Sequence, residues 1–245
     1  MLLTRTRKKY EINFNEKNLK NALKETIFFR FLQDIATQNA DENGFGYNWI
    51  VSDNLGWFLL KYRIEFSKYP QNMDYIEIDT MARGVNRLFA MREFLIYSPE
   101  NEQIGKIMSS WALMDMVNKT MVNPAKIKPD FNKYEQISGD LQFNKIETPE
   151  KFDYETKFIV RFDDIDVNNH ANNTNYIAWG LDALPNDFRM KHCIRNIDMQ
   201  FKKEIKLGET LISKAFIDTQ ANRTVHYLFN SANEDILCCI GIDWD

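Results

Sequence analysis

Twice along this chain a helix with an apolar stripe is followed by four strands with no helix between them, an order that leaves few folds open. Over 21–40, Leu23, Ile27, Phe28, Phe31 and Ile35 recur at helical spacing, with Asn21 placed to cap them. After Gly44 and Gly46 the period becomes two: Ile76, Ile78, Thr80 and Ala82 alternate with Glu77, Asp79 and Arg83. Further strands are expected at 56–69, 87–97 and 103–117, separated by Pro70 with Asn72, by Gly84 to Asn86 and by Pro99 to Asn101. The order then returns, with a strand at 154–162 and a helix from about 173 carrying Tyr176, Trp179, Gly180, Ala183 and Leu184 on one stripe until Pro185. Strands follow at 194–206, 210–219, 223–232 and 236–244. In the first of these Ile197, Met199 and Phe201 face in, while Asn196, Asp198, Gln200 and Lys202 face out.

A helix apolar around much of its circumference must be covered on most sides, and a curved antiparallel sheet does that. Consecutive strands argue against a parallel, doubly wound sheet, so the class is α+β. Residues 118–153 lose periodicity and gather Pro124, Pro129 and Pro149. The expected division is an N-terminal domain at 1–125, a connector at 126–152 and a C-terminal domain at 153–245.

Composition and charge remove several functions. The 18 Phe, 10 Tyr and 5 Trp among 245 residues exclude a disordered chain. A net charge of −4, basic runs no longer than Arg7-Lys8-Lys9 or Lys202-Lys203, and no zinc-like Cys/His spacing argue against nucleic acid as partner. No metal or organic cofactor is implied. No apolar run approaches the roughly 20 residues that span a bilayer, so membrane insertion is not expected. The start MLLTRTRKKY lacks the apolar core of a signal peptide, and Cys193, Cys238 and Cys239 are too few and ill-spaced for a disulfide framework, which makes the cytoplasm the default.

The chemistry concentrates in the later half, which holds all three histidines, His170, His192 and His226. His170 lies in DDIDVNNHANNTNYIAW, residues 163–179, where acids, amides and an imidazole share one loop before a helix capped by Asn172 or Asn173. Helix N-terminal amides would face the same spot and favour a developing oxyanion, a geometry suited to acyl transfer. Against this stands the ordinary use of Asn and Asp in turns and of a lone His as a backbone partner. His192 and Cys193 are adjacent and point apart, which disfavours a dyad. Cys238 and Cys239 read as small core residues, and His226 as a residue on the outer face of its strand or against a neighbour.

Asp166, Asn168, His170, Asn172, Asn173, Tyr176, Ile177 and Trp179 together resemble the D-x-N-x-H-x-N-N-x-x-Y-I-x-W signature of fatty acyl-ACP thioesterases. Trp57, Tyr62, Asp74, Thr80, Arg92, Gly105, Trp111 and Asp115 follow the same family pattern in order and spacing. Phe201-Lys202-Lys203-Glu204-Ile205 is similar to the aromatic-basic-basic-Glu-Cys segment of the plant enzymes, with Ile205 in the place of their cysteine.

The resemblance implies a tandem (double) hot-dog fold, each half a long helix wrapped by an antiparallel sheet, and hydrolysis of acyl-carrier thioesters to free fatty acid. It implies Asp166, Asn168, His170 and Glu204 as the catalytic set. A cysteine-histidine mechanism is disfavoured by Ile205. Strict alternation along 194–206 would instead put Glu204 on the outer face with Lys202. The acyl chain is expected in the first half, with Trp57, Met81 and Met91, and with Tyr176 from the second. An acidic acyl carrier protein would dock on Arg195, Lys202, Lys203 and Lys206. An acyl-CoA thioesterase and a noncatalytic acyl-binding module are the alternatives. A homodimer is compatible with the sequence, which is silent on assembly and on chain length.

Overall fold

In the computed structural model, which describes residues 4–128, 131, 133–166 and 169–245, the first apolar stripe forms α1 (Glu25–Glu42), burying Phe28, Phe29, Phe31, Leu32, Ile35 and Ala36. A short α2 (Tyr47–Ser52) leads into β2 (Leu55–Phe66), β3 (Tyr75–Asn86), β4 (Phe89–Tyr97) and β5 (Gln103–Asp115). After β6 (Thr120–Val122) and α3 (Pro124–Ile127) the chain reaches β7 (Tyr154–Ile159), α4 (Asn173–Leu181) and α5 (Asn186–Lys191). It ends with β8 (Ile194–Phe201), β9 (Thr210–Asp218), β10 (Arg223–Asn230) and β11 (Ile236–Trp244). This is the tandem hot-dog arrangement, although the second helix has 9 residues where the first has 18.

Sequence reasoning missed β1 (Thr6–Glu11), which pairs antiparallel with β3. Its lysines and arginine hide the alternation: Thr6 and Tyr10 are buried, while the Arg7 Nε lies 2.6 Å from Glu77 on the open side.

The two halves are one sheet. The strand order is β1-β3-β4-β5-β2-β8-β11-β10-β9-β7, and the halves meet where β2 pairs antiparallel with β8 from Lys61↔Gln200 to Glu65↔Asn196. Both helices lie on the same face and pack on each other. Gly180 lets α4 approach the sheet, since a Cβ there would sit 2.8 Å from the Ile240 side chain.

The opposite face is not open to solvent at its centre, which corrects the expectation that Asp198 faces out. The aperiodic segment before β7 covers it: Ile146 and Phe152 pack on Val225, Tyr227, Cys239 and Phe229. Beneath that cover Asp198 is 2% exposed, bonded by Arg63 Nη1 at 2.9 Å and by Asn144 Nδ2 at 3.2 Å, with Arg223 Nη2 3.3 Å away.

His226 likewise belongs to the interior rather than an outer face. It is wholly buried under Gly180 of α4, with Nε2 2.9 Å from Thr224 Oγ1 and no partner for Nδ1 among the described residues. Burial lowers its pKa to about 4, so the folded protein holds it neutral. Below the unfolded value near 6.5 the unfolded chain takes up a proton that the fold refuses. His226 therefore imposes no penalty above about pH 6.5, and one growing to about 3 kcal/mol as pH falls toward 4. Urea titrations at several pH values should show wild type losing more stability on acidification than His226→Gln; parallel losses would remove this assignment.

Candidate active site

The acid- and amide-rich segment is fixed from below by Asp164, a residue that sequence reasoning did not single out. Its buried carboxylate accepts from the Arg161 backbone N–H at 2.8 Å and from Arg161 Nη2 at 2.8 Å. Burial pushes this carboxyl up, but the Arg161 donors and charge outweigh it and hold the pKa below the usual range. The Asp164 carbonyl accepts from Asn172 N at 2.8 Å and from Asn175 Nδ2 at 3.0 Å, tying the loop to the start of α4. Between these ties Asp166 N bonds His170 O at 2.9 Å and Asn169 N bonds Asp166 O at 3.0 Å. Asn169 adopts φ 63°, a left-handed conformation that asparagine tolerates. Of the two candidate caps Asn172 serves, accepting from Thr174 N at 2.9 Å. Asn168 lies outside the described residues.

Glu204 reaches this loop because β8 ends at Phe201, earlier than the alternation suggested. Lys202 N and Lys203 N both turn to Leu237 O, at 2.8 and 3.2 Å, which breaks the ladder. Ala171 N then bonds Ile205 O at 3.0 Å, bringing 204 beside 170. Ile205 is fully buried, and Glu204 Oε2 sits 3.1 Å from His170 Nε2, the two side chains 44% and 29% exposed. The outward placement expected for Glu204 is thereby corrected. Tyr176 lies beneath, packed on Phe201 and Trp179. Burial above all, and then Cys238 and the Glu204 carboxylate, push its hydroxyl far above its ordinary pKa.

The seam between the halves also stops short here. β8 pairs with β2 only over Lys61–Glu65, so the earlier part of β2, from Leu55 to Leu59, pairs with β5 alone. Over this part, between the end of α1 and the sheet, lies a cavity of about 100 Å³ lined by Ala36, Trp57, Ala82, Met91, Arg92 and Trp111, among others. Trp57 and Met91, two of the residues expected around the acyl chain, both line this cavity. Met81 does not: it alternates with the buried Thr80 and Ala82 and takes the other face of β3. Tyr176 does not line the cavity.

The four cations expected as one docking patch divide. Lys202 and Lys206 are exposed beside the Glu204 loop, and Lys203 pairs with Asp235 at 2.7 Å. Arg195 stands at the opposite end of β8, roughly 20 Å away at 3.3 Å per residue, and lines a different groove. Cys238 and Cys239 are buried, and burial raises both thiol pKa values. His192 faces Asp245 O at 3.2 Å while Cys193 faces Lys20, so they form no dyad. Among the described residues no group of three His, Cys, Asp or Glu side chains gathers around a cation position.

The loop has a backbone twin before α1. Asn18 N bonds Ala22 O as Asp166 N bonds His170 O; Asn21 N bonds Asn18 O as Asn169 N bonds Asp166 O; Lys24 N bonds Glu16 O as Asn172 N bonds Asp164 O. Leu23 N bonds Pro70 O as Ala171 N bonds Ile205 O, which makes Tyr69 the counterpart of Glu204. Asn21 is left-handed like Asn169. The acid, the imidazole and the glutamate are therefore replaced by Asn18, Ala22 and Tyr69.

Two adjoining family models account for nearly the whole chain: the acyl-ACP thioesterase N-terminal domain at residues 4–134 and the acyl-ACP thioesterase C-terminal domain at 147–245. The chain belongs to the acyl-ACP thioesterase family. It is 24% identical over 229 residues to the oleoyl-acyl carrier protein thioesterase 2 of Arabidopsis thaliana, covering 86% of this chain. It spans 61% of that relative's length, and similar shares, 59% and 60%, of the next two oleoyl-acyl carrier protein thioesterases. An acyl-ACP thioesterase structure from Bacteroides thetaiotaomicron superimposes with a TM-score of 0.87 at 20% identity, over 98% of both chains. A 12:0-ACP thioesterase from Umbellularia californica gives 0.85 at 18%, over 98% of this chain and 94% of the other. Members of the family thus share this fold at low identity.

Asp164 is expected to hold the loop rather than to react. Asp164→Asn should weaken the Arg161 tie, raising amide hydrogen exchange within residues 162–172 with little change in the core strands. Protection unchanged in that peptide would show the loop to be held by its backbone bonds alone.

Proposed function

We propose that the protein hydrolyses acyl-ACP thioesters, releasing a free fatty acid and the carrier thiol. The observation that carries this reading is the His170–Glu204 contact at 3.1 Å, half exposed beside the capped start of α4 and the shortened seam. A thioester carbonyl there would meet backbone amides at the helix N-terminus, which favour the oxyanion of a tetrahedral intermediate. Water supplies the nucleophile. Glu204 or Asp166 accepts its proton or orients it, and His170, held by Glu204, delivers a proton to the departing sulfur. Asn168 is assigned to the oxyanion with those amides. The net change is cleavage of the C–S bond, addition of water oxygen to the acyl carbon and protonation of the thiolate. Direct attack by the Asp166 carboxylate is the rival route, and oxygen-18 from water appearing in that carboxylate after a single turnover would point to an anhydride opened at the protein carbonyl.

The acyl chain passes along the unpaired part of β2 toward the cavity lined by Trp57 and Met91. As found, about 100 Å³ holds only the first few methylenes, so longer chains require side chains there to move. The names of relatives range over oleoyl and palmitoyl carriers, which supports fatty acyl substrates without fixing a length. Carrier docking is assigned to Lys202 and Lys206, the exposed cations nearest the pair, with Lys203 tempered by Asp235.

Hydrolysis of an acyl-ACP panel tests the proposal, with the same chains on CoA as the comparison; no free acid from any thioester refutes it. Asp166→Ala, His170→Ala and Glu204→Ala should each lower turnover by roughly 10² to 10⁴-fold with the fold intact. Cys193→Ser, Cys238→Ser and Cys239→Ser should stay near wild type, and wild-type rates in all three acid and histidine variants would remove the site.

Met91→Trp, which fills the cavity, should shift products toward shorter acids, because each buried CH₂ contributes about 0.8 kcal/mol. A product profile indifferent to Met91 and Ala82 substitutions would place the chain elsewhere.

A further inference from the structure

The twin loop before α1 borders the largest of the clefts described, about 740 Å³, within the 300–1,000 Å³ common for small-molecule sites. Its chemistry is the reverse of the catalytic end. Asn18, Ala22 and Tyr69 stand where that end has Asp166, His170 and Glu204. Among the described residues, Lys20 and Lys24 line the cleft half-buried with no carboxylate within ion-pair distance. Lys20 Nζ meets the His192 carbonyl and the Cys193 thiol, and Lys24 Nζ meets Asn15 O at 2.7 Å.

Half-buried ammonium groups that hydrogen-bond only to neutral acceptors leave a positive field that favours an anion. Arg189, which also lines the cleft, has its charge answered by Asp182 at 2.8 Å. Glu25, in the same lining, lies within electrostatic reach of Lys20 and Arg189, and burial pushes its carboxyl above its ordinary range. Apolar side chains share the wall with the amides of Asn15, Asn21, Gln71 and Asn186: Leu19 is 92% exposed, Met190 is exposed, and Trp244 is buried.

We infer that this cleft is a second, noncatalytic site for an amphipathic anion, a long-chain carboxylate whose head meets Lys20 and Lys24 and whose chain lies on Leu19, Met190 and Trp244. The choice of a carboxylate rests on the proposed reaction, which releases one, whereas the preference for an anion with an apolar body rests on the cleft alone. Without the acid, imidazole and glutamate of its twin, the site would hold such a ligand without reacting with it.

The test reads binding, not turnover, so it stands apart from the thioesterase assay. Dodecanoate is titrated into wild type and into Lys20→Glu/Lys24→Glu, with folding checked by circular dichroism. One class of binding sites should disappear in the variant, and dodecan-1-ol should bind that class at least about tenfold more weakly than the acid. An isotherm unchanged by the double charge reversal overturns the inference, as does equal binding of the alcohol. Should the variant not fold, a diazirine-bearing fatty acid on the wild-type protein decides. Cross-links within 14–25 or 186–194 support the site, and cross-links confined to other peptides refute it.

Discussion

Five residue pairs between β2 and β8 make this molecule one object rather than two. At their centre Arg63 and Asp198 are paired across the seam, buried under the connector and reinforced by Arg223. Desolvation offsets much of the attraction in such a pair, so its main effect is on register. A slip by one residue would send Asp198 to the helix face and leave Arg63 with Glu65 of its own strand as its remaining carboxylate. With that register set, α1 and α4 must share one face, and the aperiodic chain before β7 must cross the other. The site then follows from where the pairing stops. Were β8 to continue alongside Leu55–Leu59, Glu204 would be a ladder residue and could not turn to His170.

A site built this way keeps its reacting groups half exposed while its supports are buried. Asp164 is almost inaccessible and saturated with donors, and Ile205 anchors the other strand of the loop in the core. His170 and Glu204, the groups proposed to act, contribute little burial, whereas those that hold the loop are buried. The same division explains why Tyr176, though next to the pair, belongs with the supports: it is 2% exposed and its hydroxyl is held protonated.

Much of this was legible in the sequence because period and punctuation are local. The stripe of Leu23 to Ile35 and the alternation of Ile76 to Ala82 specify their elements without reference to anything distant. Asp198 was misplaced, and His226 left open between an outer face and a neighbour, for a nonlocal reason: alternation says which side of a sheet a residue takes, but not whether that side is covered. Here the cover on one side is a segment with no periodicity at all, and on the other a helix brought close by Gly180. Met81 takes the face away from the cavity, as its alternation with the buried Thr80 and Ala82 requires. Glu204 was found by motif and would have been rejected by pattern, since two consecutive amides sharing the Leu237 carbonyl leave no trace in hydrophobic spacing.

The twin loops separate what the fold provides from what the side chains provide. Both ends of the molecule offer a left-handed asparagine, the same four backbone bonds and the start of a helix, so the scaffold alone does not distinguish the proposed reactive end from its twin. Three substitutions do, and they act together: removing an imidazole without its glutamate would leave an unpaired carboxylate beside a helix start, and removing only the acids would leave an unoriented base. At the α1 end all three are absent, Tyr69 spends its hydroxyl on the Leu23 carbonyl, and lysines approach where carboxylates would have held them by charge. A duplicated fold can therefore keep its architecture at both ends while the side chains of one end change, because the backbone bonds that build the loop are indifferent to the side chains it carries.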